Sequence, residues 1–362
     1  MTEKREVAAV LGGGSFGTAM ATILAENGHE TRLWVRDPET AAVINDSHEN
    51  PRYLPGAALP ETVVATESLE EALANVTLVF VAIPSKAYVD VLKQAQAWIA
   101  PGTIVVSCTK GIHADGFRLM SDLLKDYLPD ASIGVLSGPN LAKEVVERRF
   151  SGTVIASADQ ILRERIQDAL GCGYFRVYDN PDMYGVELAG ALKNIYAIAT
   201  GMAASLGVGE NSRAFLITRS LAEMSRFAVQ LGANPMTFLG LAGVGDLIVT
   251  CSSSLSRNYR VGYMLGEGKT MEQAIEELGQ TAEGVNTVQI VAAEAERRGV
   301  YMPIATALNA VLFHDLSVET VIAGLMQGEH NHDVEFALTS SSPDDAPSGT
   351  SLGKTQLKKD SQ

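Results

Sequence analysis

Lys193 and Glu187 are the only charged residues within positions 185–206, and the helical neighbours of Lys193 three and four positions away are Ala189, Gly190, Tyr196 and Ala197. None of these is a carboxylate. A lysine without a local ion pair on an apolar helix is partly desolvated, so its pKa falls and it can give a proton to an alkoxide forming as a carbonyl is reduced by hydride. Its small neighbours leave room for something large to come close. The same pattern equally describes a lysine snorkelling from an apolar helix to water.

A second cluster is GLAGVGDLIVTCSSSLSRNYRVG, residues 240–262, where Asp246 follows a glycine pair and Ser256 precedes Arg257 and Asn258. Ser256 reads as a helix N-cap, and a serine-rich loop entering a helix with an arginine in its first turn suits an anion such as phosphate. A capped surface helix with a solvated arginine is the plainer alternative. Asp246 either orients Lys193 or closes a turn. Lys110, in SCTKG (107–111), lies just past an apolar strand, where open α/β sheets hold their ligands. SGPNLAKE (137–144), with Gly138, Asn140 and Ala142, follows another such strand and turns backbone N–H groups toward a helix start. Either segment can be a plain loop.

These residues need a scaffold, and its opening is the clearest part of the chain. The run VAAVLGGGSFGTAMATILAENGHETRLWVRD places a buried strand at 7–11, glycines at 12, 14 and 17, a helix over 18–26 stopped by Asn27-Gly28, and a second strand at 31–35. This is the layout of a dinucleotide-binding βαβ unit. Gly12 permits the tight turn, Gly14 lets backbone approach a pyrophosphate, and Gly17 lets helix pack on strand. The GK[ST] that would make this turn a P-loop does not follow it. No acid ends the second strand; Arg36 stands there, suited to the 2′-phosphate of NADP or to stacking on adenine. Asp37 keeps NAD open, and Arg36 can also be a solvated loop arginine.

Continuous apolar strands of the kind found in a parallel sheet covered on both faces are predicted at 78–83 and 103–107, and further strands at 132–136, 153–156 and near 175–178. Helices are predicted at 68–74, 88–99 and 117–127. From about 183 helices take over, at 184–206, 213–231, 271–278 and 285–298. The fold class is therefore α/β: an N-terminal Rossmann-type doubly wound sheet over 1–181, with the boundary at 179–181, followed by an all-helical domain over 182–330. Residues 337–362, rich in Ser, Pro, Asp and Gly, read as a disordered tail.

Composition narrows the partners. With 28 basic against 43 acidic residues the 362-residue chain carries a net charge of −15 and no basic stripe, which argues against nucleic acid and anionic membrane. Its three cysteines lack CxxC or CxH spacing, so neither a disulfide framework nor a metal site is expected. Charges lead directly into the first strand, leaving no room for an export signal, and no apolar run is long enough to span a bilayer. A reducing cytoplasm fits.

Taken together, GGGSFGTA, CTKGI, SGPNLAKEV, ELAGALKNIYA and GVGDLIVTC followed by SRN closely resemble the soluble NAD(P)-dependent glycerol-3-phosphate dehydrogenases of bacterial type, from about residue 7 to 326. The stretch GEHNHDVEF (328–336) and the polar tail depart from that pattern. The resemblance implies reversible hydride transfer between NAD(P)H and dihydroxyacetone phosphate, giving sn-glycerol 3-phosphate for phospholipid synthesis, without a metal. It implies that Lys193 is the general acid/base, that Lys110 binds substrate near the nicotinamide, and that Asp246 completes the polar group. Ser256, Arg257 and Asn258 would hold the substrate phosphate, and Gly138 and Asn140 would line the substrate side. Besides the glycines, Ser15, Phe16, Arg36, Lys110, Ala142, Arg257, Thr281 and Glu283 would contact the cofactor. A homodimer is expected. The competing readings are a two-domain reductase of a carboxylate substrate, of ketopantoate or 6-phosphogluconate type, and a non-enzymatic NAD(P) sensor.

Overall fold

The predicted opening unit is β1 (Val7–Leu11), α1 (Ser15–Glu26) and β2 (Glu30–Trp34) in a computed structural model that describes residues 5–113, 115–314, 316–318 and 320–322. Alternation along β1 sends Ala8 and Val10 into the layer holding α1 and Ala9 and Leu11 into the opposite one, so the strand is covered on both faces. Gly12 has φ +118°, and a Cβ there would stand 2.6 Å from the carbonyl oxygen of Ala82. A Cβ on Gly17 would stand 1.9 Å from the carbonyl oxygen of Gly12. Both glycines are steric necessities, while a Cβ on Gly14 would meet nothing within 4 Å, leaving that stretch of backbone bare.

The chain continues through α2 (Pro38–Ser47), a short hairpin of β3 (Glu49–Asn50) and β4 (Leu54–Ala58), β5 (Val63–Thr66), α3 (Leu69–Leu73), β6 (Leu78–Val81), α4 (Tyr88–Ala95) and β7 (Ile104–Ser107). A second small hairpin, β8 (Ile112–His113) and β9 (Arg118–Leu119), leads to α5 (Met120–Tyr127), β10 (Ser132–Ser137), α6 (Ala142–Val146), β11 (Ser151–Ala156), α7 (Gln160–Leu170) and β12 (Phe175–Asn180). Eight strands form one sheet in the order β12-β11-β10-β7-β6-β1-β2-β5. The strand order reverses between β1 and β6. That switch opens a crevice at the carboxyl ends of the strands, where the glycine turn, Ser85, Lys110 and Gly138 all emerge.

The sheet is not wholly parallel. β10 and β11 run antiparallel, Val135 facing Ala156, whereas the other main-sheet neighbours are parallel. A parallel return needs a crossover element that carries the chain back along the sheet, and the five-residue α6 is too short to do so. Two helix predictions need trimming. Residues 117–119 are not helical, because Phe117 takes φ +52° to turn the β8–β9 hairpin. The helix expected over 88–99 ends at Ala95 and tightens into a single turn at Gln96–Trp98.

The helical part begins with α8 (Met183–Ser205), 23 residues, capped by the side chain of Asp182 on the N–H of Gly185. It is apolar around nearly its whole circumference and is accordingly buried. Around it lie α9 (Glu210–Gln230), α10 (Asp246–Ser252), α11 (Arg257–Gly266), α13 (Glu283–Arg298) and α14 (Pro303–Phe313), with α12 (Met271–Leu278) packed on α11. α11 crosses α8 backbone against backbone: a Cβ on Gly262 would stand 1.9 Å from the carbonyl oxygen of Ile198, and one on Gly201 2.0 Å from that of Tyr259. Among the described residues no strand follows β12. The described residues gather into one compact unit. The end of the predicted helical domain and the predicted tail lie outside the described residues.

Candidate active site

A π-helical turn at Leu241–Gly245 runs directly into α10, so Asp246 enters the interior as the first residue of a helix rather than closing a surface turn. It is 1% exposed and lies between two ammonium groups. One carboxylate oxygen accepts from Lys110 Nζ at 2.6 Å, and the other accepts a short hydrogen bond from Lys193 Nζ. Lys193 Nζ also donates to Thr250 Oγ1 at 2.6 Å, and Lys110 Nζ to the carbonyl oxygen of Gly138 at 2.9 Å. Three segments far apart in sequence thus meet on one carboxylate.

The electrostatics follow from burial. Desolvation pulls the Lys193 ammonium down to about 8; Asp246 opposes that fall and the Lys110 charge adds to it. Burial alone would raise Asp246, but its two cationic partners reverse the shift and hold the carboxyl below the usual range. Two ammoniums around one carboxylate leave a net positive charge facing the crevice, suited to an oxygen that gains negative charge. The long-range ion pair is what the local view of Lys193 could not show. The space beside Gly190 is also accounted for: a Cβ there would meet Ser137 Oγ at 2.5 Å and the Lys110 stem at 3.6 Å, so the small residue admits the sheet side of the fold rather than a free ligand.

Ser256 is the N-cap of α11, accepting from the N–H of Tyr259 at 3.3 Å, as its position before the helix predicted. Arg257 is exposed to solvent, yet surrounding protein lowers its guanidinium from the ordinary arginine value, which describes a side chain set in an open cleft. It makes no hydrogen bond or ion pair with another described residue. Asn258 is tied by its side chain to neighbouring amides. Its side chain donates to Asn194 Oδ1 at 2.9 Å and accepts from the N–H of Gly284 at 3.0 Å, while Asn194 Nδ2 holds the carbonyl oxygen of Lys110 at 3.1 Å. The chain of amides ties the starts of α11 and α13 to the Lys110 loop. Asn140 is likewise engaged, donating to the carbonyl oxygen of Gly152 at 3.0 Å and accepting from Thr153 Oγ1 at 2.8 Å.

On the cofactor side, Arg36 is exposed at the end of β2. Asp37 caps α2, accepting from the N–H groups of Glu39 and Thr40 and, at 2.5 Å, from the Thr40 hydroxyl. The carboxylate is thereby committed, and the Thr40 hydroxyl keeps it below its usual pKa. Ser15 Oγ donates to the carbonyl oxygen of Tyr53 at 3.0 Å and Asn50 Nδ2 to that of Gly13 at 2.9 Å, so the β3–β4 hairpin braces the glycine turn. Phe16 packs partly buried against the core, Ala142 opens α6, Thr281 is exposed just before α13, and Glu283 is its first residue. Glu283 accepts from the N–H and hydroxyl of Ser85.

Thr250, Asn194 and Ser85 were missed in the sequence. Thr250 carries a usable signal, since it follows Asp246 by one helical turn. Asn194 is adjacent to Lys193, and Ser85 has no local signal. Among the described residues no three His, Cys, Asp or Glu side chains are grouped to hold a metal, and no helix is long and apolar enough to cross a membrane.

Two family models cover nearly all of this architecture: the NAD-dependent glycerol-3-phosphate dehydrogenase N-terminus matches residues 7–162 and the C-terminus of the same family matches 182–323. The chain belongs to the NAD-dependent glycerol-3-phosphate dehydrogenase family. A glycerol-3-phosphate dehydrogenase [NAD(P)+] of Alcanivorax borkumensis is 69% identical over 338 residues, covering 93% of this chain and 98% of the relative. The crystal structure of a glycerol-3-phosphate dehydrogenase from Coxiella burnetii, 37% identical, superposes with a TM-score of 0.86 over 90% of this chain and 99% of its own. A ketopantoate reductase structure from Ralstonia eutropha, at 16% identity and a TM-score of 0.55 over 84% of this chain and 96% of its own, shares the fold alone.

Proposed function

We propose that this chain reversibly reduces dihydroxyacetone phosphate to sn-glycerol 3-phosphate with NADPH or NADH, supplying glycerophospholipid synthesis. The observation that carries the reading is Asp246 held between Lys110 and Lys193, with Arg257 open in the cleft and unpaired among the described residues. The bare backbone at Gly14 and the N–H groups that open α1 fit a pyrophosphate, and a nicotinamide cofactor held there would supply the hydride. Lys193, protonated, gives its proton to the substrate C2 oxygen; Thr250 and Asp246 fix the ammonium's direction, and Lys110 adds positive charge beside the same oxygen. Arg257 and the first N–H groups of α11 hold the phosphate. A cofactor sensor would have no use for a buried and a half-buried lysine on one carboxylate. The division of the chain at 181/182, a homodimer and a cytoplasmic location belong to this proposal.

Arg257→Ala is expected to lower kcat/KM for dihydroxyacetone phosphate by roughly a hundredfold, the scale of truncating one partner of a charge pair, and to leave the slow reduction of dihydroxyacetone nearly unchanged. Equal losses on both substrates would remove Arg257 from phosphate binding. Because Asp37 is committed to its helix, Arg36 is the group left to read the ribose. Arg36→Ala should therefore cut the preference for NADPH over NADH by roughly tenfold or more, measured as a ratio of kcat/KM values. An unchanged ratio would return Arg36 to the solvated loop.

A further inference from the structure

Arg257 and Glu283 stand side by side. Each immediately precedes one member of a hydrogen-bonded pair, Asn258 accepting from the N–H of Gly284 at 3.0 Å, so the starts of α11 and α13 are fixed against each other with a guanidinium and a carboxylate as neighbours. Their charges interact, as the raising effect of Glu283 on the arginine shows. A flexible glutamate beside an exposed arginine ordinarily closes onto it as a fork-to-fork ion pair. Here it does not. Both carboxylate oxygens of Glu283 are held from the other side of the crevice by Ser85, one by its N–H at 2.9 Å and the other by its hydroxyl at 2.5 Å. Ser85 is 5% exposed, in the single turn at Ser85–Ala87 that follows β6, and cannot easily follow the carboxylate if it moves. Gly111 closes the remaining side: a Cβ there would stand 2.8 Å from Ser85 Cβ and 2.9 Å from Glu283 Oε2.

We propose that Ser85 is a positioning residue for substrate selection: it restrains Glu283 from pairing with Arg257 and so keeps the guanidinium available to a phosphate. Without the Ser85 hydroxyl, the Glu283 carboxylate competes with the phosphate group of the substrate for the same donors. The inference rests on the reading of Arg257 as the phosphate anchor, and its test separates the two.

The experiment compares kcat/KM for dihydroxyacetone phosphate with that for dihydroxyacetone, at saturating NADPH, in four proteins: unaltered, Ser85→Ala, Ser85→Ala with Glu283→Gln, and Arg257→Ala. The ratio cancels any effect on cofactor binding or on the chemical step. Ser85→Ala is expected to lower the ratio about tenfold, the scale of one charge-assisted contact, through KM for the phosphorylated substrate. Adding Glu283→Gln is expected to restore it, since a neutral amide does not compete with phosphate for the arginine. Ser85→Cys, similar in size but a weak donor, should repeat the loss if Ser85→Ala does not fold. A loss that Glu283→Gln fails to restore would make Ser85 merely structural and overturn the inference. So would an unchanged ratio in Ser85→Ala beside a collapsed ratio in Arg257→Ala, with the phosphate reading intact. An unchanged ratio in Arg257→Ala would overturn both.

Discussion

Lys193→Ala is expected to lower kcat for reduction of dihydroxyacetone phosphate by roughly a hundredfold to ten-thousandfold, the range that a positioned general acid contributes, with cofactor affinity retained. The residue lies on α8, while the bare glycine turn belongs to α1, so removing the amine leaves the dinucleotide crevice intact. The pH profile carries the same assignment. With the ammonium drawn down to about 8, reduction, which needs the protonated form, should decline as pH rises through about 8. Oxidation of glycerol 3-phosphate needs the neutral amine as base and should rise through the same value. Stopped-flow single turnovers with each substrate at saturating cofactor would measure both limbs. Near-normal kcat in Lys193→Ala, or two limbs of the same sign, would take Lys193 out of the proton transfer.

Asp246→Asn should be nearly as damaging, and in two separable ways. The carboxylate is the shared counter-charge of two lysines, one of them fully enclosed, and removing one partner from a buried ion pair typically costs about 3–5 kcal/mol. A fall in Tm of several degrees is therefore expected, and it should shrink in Asp246→Asn combined with Lys193→Met, where the stranded inner charge is gone. The second effect is on proton affinity. Since Asp246 is what opposes desolvation at Lys193, losing its charge should move the limb of the reduction profile to a pH below 8. A limb that stays in place would mean that another group sets the Lys193 proton affinity.

The readability of this chain depended on how local each signal was. β1 and the glycine turn were legible because their pattern is contiguous in sequence, and Gly17 is demanded by the backbone of Gly12 in the same turn, although Gly12 answers to Ala82 beyond β6. Lys193 was legible as an anomaly, a charge with no neighbour to balance it, but its partner arrives from Asp246, across the fold. The resemblance implied Asn258 as a phosphate contact, and only packing shows that its side-chain amide is also bonded to Asn194 and Gly284. The antiparallel β10–β11 pair escaped because strand direction is decided by the length of what connects two strands, not by the strands themselves. The β3–β4 hairpin escaped for a different reason: ENPRYLPGAA has neither strong alternation nor an apolar run, and it is held by side-chain bonds to the glycine turn. Ser85 belongs to the same class, its importance lying wholly in Glu283, which is distant in sequence.

The glycines that let α8 and α11 touch set more than a packing distance. Lys193 rides on one of these helices and Arg257 opens the other, so the span from the proposed proton donor to the proposed phosphate anchor is gauged by main chain resting on main chain at Gly201 and Gly262. Contacts between side chains yield by rotamer changes, whereas apposed backbones have almost no slack. The crossing therefore works as a ruler: on that proposal a phosphate that reaches the arginine brings its carbonyl to the lysine only if the carbon chain between them has the right length, and a methyl group added to either helix at the crossing would meet backbone and spoil the match.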